Sequence, residues 1–535
     1  MSDKVSKELC GCSIRYGERK GKKVSMMEIV LRSGIVSLSF SVVQALLAFL
    51  VVGYSLRVFG ELAVGLVQAT QATVLFTIGL SGMPVITSAL IQYVSESSEA
   101  PNITQDVADR FNSSLGYLFL ICSLFFICFL SINPFGEKWA LMGIAAKFSS
   151  MSMYNSLILL WVMSEQVTVL IISFLFGRRL LIQANLISGL FGAANQTIIF
   201  LSIFVFKEFL IFLIIMAAFS VVRLIAAYLI ACRYNRGLRL FPSTKFSRIR
   251  KMPMVNKSAY IGSLSNPLVS QADRLILSYI SGVAALPIYA LAQSALSAVH
   301  SVIHNICHPF FPLLSAEGKN AVRKAKKMEF LQRWIVSLMG AFLYGISILF
   351  LPILLSYIVT VDIGERSRMF VILASLQGML ICYSTVPIFG LLALKKTKIL
   401  AIMDWGNSSL VLGLAVPLTI FLGPLGTAFS RLGFIFQAIF STWHYTAELG
   451  LRKIADKFRP LIPSFLFLLL IILYSYCIHS LRLNRLVELS LNLIFLMICL
   501  SSWLLIDYMS EKRKENVYFI LRILGTIRSI IFRKV

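Results

Sequence analysis

The chain has 535 residues, 58% of them hydrophobic and only 14% charged, with a formal net charge of +26. Soluble domains carry nearer a quarter charged residues, and so few polar side chains cannot cover the surfaces of a soluble protein this long. The excess apolar surface requires lipid, and because the basic residues fall mostly between apolar runs, their excess is topological and no nucleic-acid partner is expected.

The first 33 residues form a basic, polar tail with a lone Cys10-x-Cys12 pair and no second pair at zinc spacing. No small-residue cleavage site follows the first apolar run, which is expected to stay as a signal anchor. Most of the remaining cysteines lie in or beside apolar runs, where thiols behave as small apolar groups. Neither a disulfide framework, a metal site nor a cofactor is expected.

Apolar runs then follow at 34–55, 63–94, 113–132, 154–177, 181–204, 209–231, 258–281, 284–313, 334–357, 369–394, 399–421, 425–447, 461–478 and 488–506. Crossing a bilayer takes about 20 residues, so these runs predict an all-α polytopic membrane protein of about fourteen transmembrane helices. The second and eighth runs are overlong and are expected to tilt or bend. With the N-terminus in the cytoplasm, cytoplasmic segments hold 39 Lys and Arg and the opposite side holds 8. That asymmetry sets the orientation and puts both termini in the cytoplasm.

The loop after span six, 232–257, carries eight basic residues and no acidic one. It reads as a cytoplasmic linker that can touch anionic head groups. The expected organisation is a tail 1–33, a six-helix bundle 34–231, the linker 232–257, a second six-helix bundle 258–447, two additional helices within 461–506, and a basic tail 507–535.

An internal repeat supports the two bundles. An offset of 222 residues pairs Gly60 with Gly282, Gly65 with Pro287, Ser41 with Ser263 and Gln44 with Asn266. Spans one and seven both run outward in this topology, so the halves are parallel repeats about an axis along the membrane normal.

Charge within a span is costly and marks a cavity or a partner. Arg223, Arg274 and Arg431 are the basic residues inside the spans; Glu165, Asp273 and Asp404 are the clearest acidic ones. Span seven places Ser263, Asn266, Ser270, Asp273 and Arg274 at helical spacing, interrupted by Pro267. Span one carries a matching uncharged stripe of Ser37, Ser41 and Gln44. Two equivalent polar stripes can line a central cavity, or they can glue helices together as Ser and Asn do in membranes.

Guanidinium groups match phosphate with paired hydrogen bonds, so Arg274, Arg223 and Arg431, with Asn266 and Gln44, are the expected substrate contacts. Asp273, Glu165 and Asp404 are expected to form ion pairs or couple to an ion. Asp273 and Arg274 are neighbours and do not face each other squarely on a helix, so each needs its own partner. Arg431 lies close enough to a span end to snorkel. His300, His304 and His308 share a face of span eight, but no carboxylate stands beside them in sequence, and a polar patch near a proline-broken helix end is the favoured reading.

The segment from Gln271 to Ala292, with Asp273-Arg274, Gly282 and Tyr289, resembles the seventh-to-eighth helix region of Wzx-type polysaccharide flippases. Arg57-Val-Phe-Gly60-Glu61 resembles their first loop. The resemblance implies the fold of multidrug and toxic-compound extrusion (MATE) proteins, two six-helix bundles around a central cavity. It also implies alternating-access flipping of an undecaprenyl-diphosphate-linked oligosaccharide across the bacterial inner membrane for surface polysaccharide synthesis, with Arg274 in a cationic cavity. Other polysaccharide-assembly membrane proteins are its candidate partners. The rival readings are a cation exporter on the same fold, which needs intramembrane carboxylates that span one lacks, and a membrane glycosyltransferase or polymerase, which needs positioned carboxylates in a sizeable loop or cavity. No G-x-x-x-x-G-K-[ST] phosphate loop is present.

Overall fold

The computed structural model describes residues 26–81, 86–87, 90–91, 94, 105–132, 151–178, 180–206, 209–234, 262, 264–265, 268–307, 321–394, 396–451, 458, 461–481 and 485–509. The described part of the first bundle holds α1 (Met26–Leu80), α2 (Gln105–Ile132), α3 (Met151–Gly177), α4 (Leu181–Phe206) and α5 (Phe209–Tyr234). The second bundle holds α6 (Ala272–Ile280), α7 (Leu286–Cys307), α8 (Ala321–Ile358), α9 (Val361–Ala393), α10 (Thr397–Leu422), α11 (Pro424–Ser430) and α12 (Phe434–Glu448). Two further helices follow, α13 (Leu461–Ser480) and α14 (Arg485–Met509). Each of the fourteen expected spans falls on described helix, spans two, seven and eight in part. Nine helical stretches among the described residues are long and apolar enough to cross a bilayer. The chain is an all-α, multi-pass membrane protein.

α1 is two helices joined at Gly60, whose backbone leaves helical geometry at φ 78, ψ 173. Its 55 residues would extend about 80 Å if straight, far beyond the hydrocarbon thickness. Gly282, between α6 and α7, adopts nearly the same conformation, φ 85, ψ 159. That region of backbone space is essentially reserved for glycine, so the 222-residue offset pairs two positions with the same steric requirement at the same place in each half.

Several helices run past their expected ends. α1 begins at Met26, inside the expected tail, and α8 begins at Ala321 in the expected loop 314–333. α9 begins at Val361 because Thr360 caps it, accepting from the Ile363 N–H. Hydropathy locates the lipid-embedded stretch, whereas helices continue into the head-group zone where propensity and caps decide.

In the first bundle α3 packs against α5, α4 against α1 and α5, and α2 against α3. In the second, α9 is central, packing on α7, α8 and α12. The apolar stretch of α9 is 78% buried inside the protein, against 28% for that of α13, which leans on α8 from outside. The core of the second bundle also takes in Phe49, Val52, Leu56, Val64 and Ala69 from α1. The seam between the halves therefore runs along α1 and α7, where Gly65 lies so close to the chain that an added Cβ would stand 2.2 Å from the Val283 carbonyl oxygen.

Candidate functional site

A cavity of about 380 Å³ opens along this seam. One wall comes from α1 and α4, with Ser55, Gln68, Gln71 and Gln196 among its polar residues. The opposite wall comes from span seven, α7 and the break in span twelve, with Ser270, Gln271, Arg274, Gln293 and Arg431. No Asp, Glu or Lys is among the described lining residues.

Span seven is interrupted at Gln271, and the interruption sets the directions of its charges. The Arg274 N–H bonds back to the Gln271 carbonyl at 3.1 Å, an i to i−3 contact, and the Leu275 N–H shares that acceptor at 3.3 Å. The Ser270 carbonyl is left to another donor. Arg431 supplies it, donating from its terminal nitrogens to the Ser270 and Val269 carbonyls at 3.3 and 3.4 Å and to Gln293 Oε1 at 3.3 Å. Its Nε donates to Asp273 Oδ2 at 2.7 Å.

Asp273 is fully buried and also accepts from the Tyr289 hydroxyl. The Arg431 guanidinium stands 6.0 Å from the Tyr289 ring centroid, within cation–π range. Gln293 in turn donates to Gln377 on α9 at 3.1 Å. Arg431 occupies the short 3-10 turn Arg431–Gly433 between α11 and α12. Rather than snorkelling from a helix end, it is buried and ties two broken spans together.

Asp273 thus takes its partner 158 residues away and not from its neighbour. Successive helical residues point about 100° apart, so Asp273 faces into the second bundle while Arg274 faces the cavity. Arg274 makes no side-chain hydrogen bond or salt bridge among the described residues, and its Nε is buried without a partner.

The other expected residues lie elsewhere. Arg223 on α5 pairs with Glu165 on α3 at 2.7 Å within the first bundle, and neither lines the cavity. Gln44 donates to the Gly189 and Ser188 carbonyls of α4 at 3.1 and 3.4 Å, where the glycine surface of α4 lets α1 approach. Asp404, half-buried on α10, faces the Gly262 turn of span seven, one helical turn from Ser408, whose hydroxyl donates to the Ser265 carbonyl at 3.1 Å. Asn266, Ser263, Pro267 and His308 lie outside the described residues, as do the side chains of Ser37 and Ser41. His300 and His304 stand 6.0 Å apart, the latter against Phe389, and no cluster of three metal-ligating side chains occurs among the described residues.

The glutamines of the cavity were not singled out by sequence. One signal for them was present: the offset of 222 that pairs Gly60 with Gly282 also pairs Gln71 with Gln293, one on each wall.

Residues 30–316 match the profile of a family described as polysaccharide biosynthesis protein. No curated protein matches the chain by sequence. Among solved structures, the lipid II flippase MurJ in an inward closed conformation is similar with a TM-score of 0.62 and 12% identity, over 88% of this chain and 98% of that one. An inward-facing multidrug resistance MATE family transporter of the MOP superfamily is similar with a TM-score of 0.57 and 15% identity, over 78% of this chain and 98% of that one. The eukaryotic MATE transporter AtDTX14 is similar at 0.52 and 12%, over 82% and 98%. At these identities the likeness is one of fold: the two-bundle, MATE-like architecture that the family resemblance implies.

Proposed function

The chain belongs to the polysaccharide biosynthesis protein family, and from that premise we propose that it flips an undecaprenyl-diphosphate-linked oligosaccharide from the cytoplasmic to the outer leaflet by alternating access. The observation that carries this reading is the cavity between the halves, whose wall holds an unpaired arginine and no acidic residue among the described residues. Charge inside a membrane protein persists where it has a partner or a task. A diphosphate supplies the missing partner for Arg274, since guanidinium binds phosphate oxygens in pairs and stays ionised when desolvated. The lipid II flippase MurJ shares this fold, which agrees with a lipid-linked cargo.

In this reading Arg274 contacts the diphosphate. Arg431 contributes to the cationic wall but is held by Asp273, so its first role is positioning. Arg223 and Glu165 brace the first bundle, and Asp404 is the acid left to couple transport to an ion. The protein sits in a bacterial inner membrane with both termini in the cytoplasm, on the side favoured by its basic loops. A cation exporter would need a carboxylate on the cavity wall, and none is among its described residues.

The test is transbilayer movement of an undecaprenyl-diphosphate-linked oligosaccharide in vesicles carrying the intact protein or the Arg274→Ala variant. Movement that falls at least tenfold in the variant, at equal folded yield, is expected; a tenfold loss corresponds to about 1.4 kcal/mol, below the worth of a typical charge-assisted bond. No movement of any lipid-linked glycan, together with efflux of an organic cation, would overturn the reading.

A further inference from the structure

Arg274 is the single unpaired charge on the cavity wall among the described residues, but it is not the only unpaired polar group. Gln68, Gln71 and Gln196 make no side-chain hydrogen bond among the described residues, although all three line the cavity. Gln68 is 95% buried by residue, its exposure being 5%. Across from them Gln271 leaves its Oε1 buried and unbonded, and Ser55 on the near wall does the same with its hydroxyl. Buried polar groups in native proteins are paired nearly everywhere, and leaving one unpaired is costly. Ser55 and Gln271 are such groups, one on each wall, and Gln68, Gln71 and Gln196 open onto the same cavity with no partner among the described residues, so the cavity is a site whose hydrogen-bond partners come from outside the chain.

The two walls differ in chemistry. The α1–α4 wall offers carboxamides, each with a carbonyl acceptor and an NH₂ donor and no charge. The span-seven wall also carries the carboxamides of Gln271 and Gln293, but it alone offers guanidinium among the described residues. Resting on the flippase reading above, we infer that the cavity takes its cargo in one sense, phosphates toward Arg274 and sugars toward Gln68, Gln71 and Gln196, and that it selects an uncharged glycan. Sugar hydroxyls and N-acetyl groups are donor–acceptor pairs that a carboxamide matches. A uronic acid carboxylate on that side would meet no cation, and burying an unpaired charge is costly.

Two undecaprenyl-diphosphate-linked oligosaccharides of equal length test this, one of neutral and N-acetylated sugars, the other with a uronic acid in place of one hexose. In vesicles carrying the full chain, the neutral lipid is expected to move at least about tenfold faster. Gln71→Arg places a cation on the carboxamide wall and is expected to reduce or invert that ratio. Gln196→Leu is expected to slow the neutral lipid about fivefold, the worth of one neutral hydrogen bond. Binding of the corresponding lipid-free sugar diphosphates to detergent-solubilised protein, measured by calorimetry, gives the same ratio without reconstitution. Equal movement of both lipids, or faster movement of the acidic one, overturns the carboxamide inference while leaving the flippase in place. Movement of neither, with no calorimetric binding, overturns both.

Discussion

Asp273→Asn strips the counter-charge from Arg431 while changing almost no volume. Asp273 has no exposed surface and the Arg431 side chain is 9% exposed, so Asp273 cannot recruit water and Arg431 meets it only at the cavity edge. Removing one partner from such a pair costs about 3–5 kcal/mol, because the other charge stays buried and uncompensated. The lower end applies here: Arg431 keeps Gln293 and the Val269 and Ser270 carbonyls as acceptors, and the asparagine carbonyl can still receive its Nε–H. About 3 kcal/mol is expected for Asp273→Asn. Arg431→Met should cost more, about 4–5 kcal/mol, since Asp273 then keeps only Tyr289 as a donor and its Oδ1 is already unbonded. The double variant removes both charges together, so its cost should fall short of the sum by about 2–3 kcal/mol. Reversible unfolding in mixed micelles, followed by intrinsic fluorescence, measures all three. Additivity within about 0.5 kcal/mol would refute the argument that these residues form one charge-compensated unit.

Other substitutions separate scaffold from site. Gly60→Ala and Gly282→Ala meet no atom within 4 Å, so each should lose only the backbone strain of a glycine-only conformation, about 1–3 kcal/mol, read as a lower unfolding midpoint. Arg223→Gln should lower stability by breaking the Glu165 pair yet leave flipping per folded molecule unchanged, because the pair does not line the cavity; a selective transport loss at full stability would place Arg223 in the cargo path. Gly65→Val should force the Val283 carbonyl away and slow transport, with solvent accessibility of a cysteine placed at Glu61 rising as the seam loosens.

The fold was legible because its signals are strong and local. Apolar runs of bilayer length, basic loops on alternate sides and a half-repeat converge on one architecture, and the repeat was anchored at Gly60 and Gly282, where steric need is absolute. Arg274 was legible because a charge in a span is rare. The remainder of the site depended on contacts that sequence does not order. The partner of Asp273 lies 158 positions away, in a helix break that no hydropathy window resolves. Gln68 and Gln71 share one apolar run and Gln196 follows Asn195, but all three are uncharged and did not stand out, whereas Gln44, equally polar, spends its amide on α4. Between those fates a one-dimensional pattern cannot choose: a lone carboxamide in a membrane helix reads the same whether it glues helices or faces a cavity.

The helix break in span seven links the structural cluster to the cavity. A membrane-embedded helix can be interrupted only where something satisfies the freed backbone groups. Here the interruption at Gln271 frees the Ser270 carbonyl, and Arg431 bonds it while its Nε holds Asp273. With Asp273 fixed inward, the next residue is turned through about 100° and Arg274 faces the cavity without a protein partner. The Arg431–Asp273 unit is therefore what aims Arg274, and weakening it should damage transport through orientation and not through lost charge. That distinction is measurable. Arg274→Lys keeps the charge but loses the planar pair of donors, so it should weaken binding of a diphosphate head group while leaving the unfolding midpoint unchanged. Asp273→Asn should weaken the same binding and lower the midpoint together. If Asp273→Asn lowered stability but bound the head group as tightly as the unaltered protein, the aiming role would be lost and the cluster would be a brace alone.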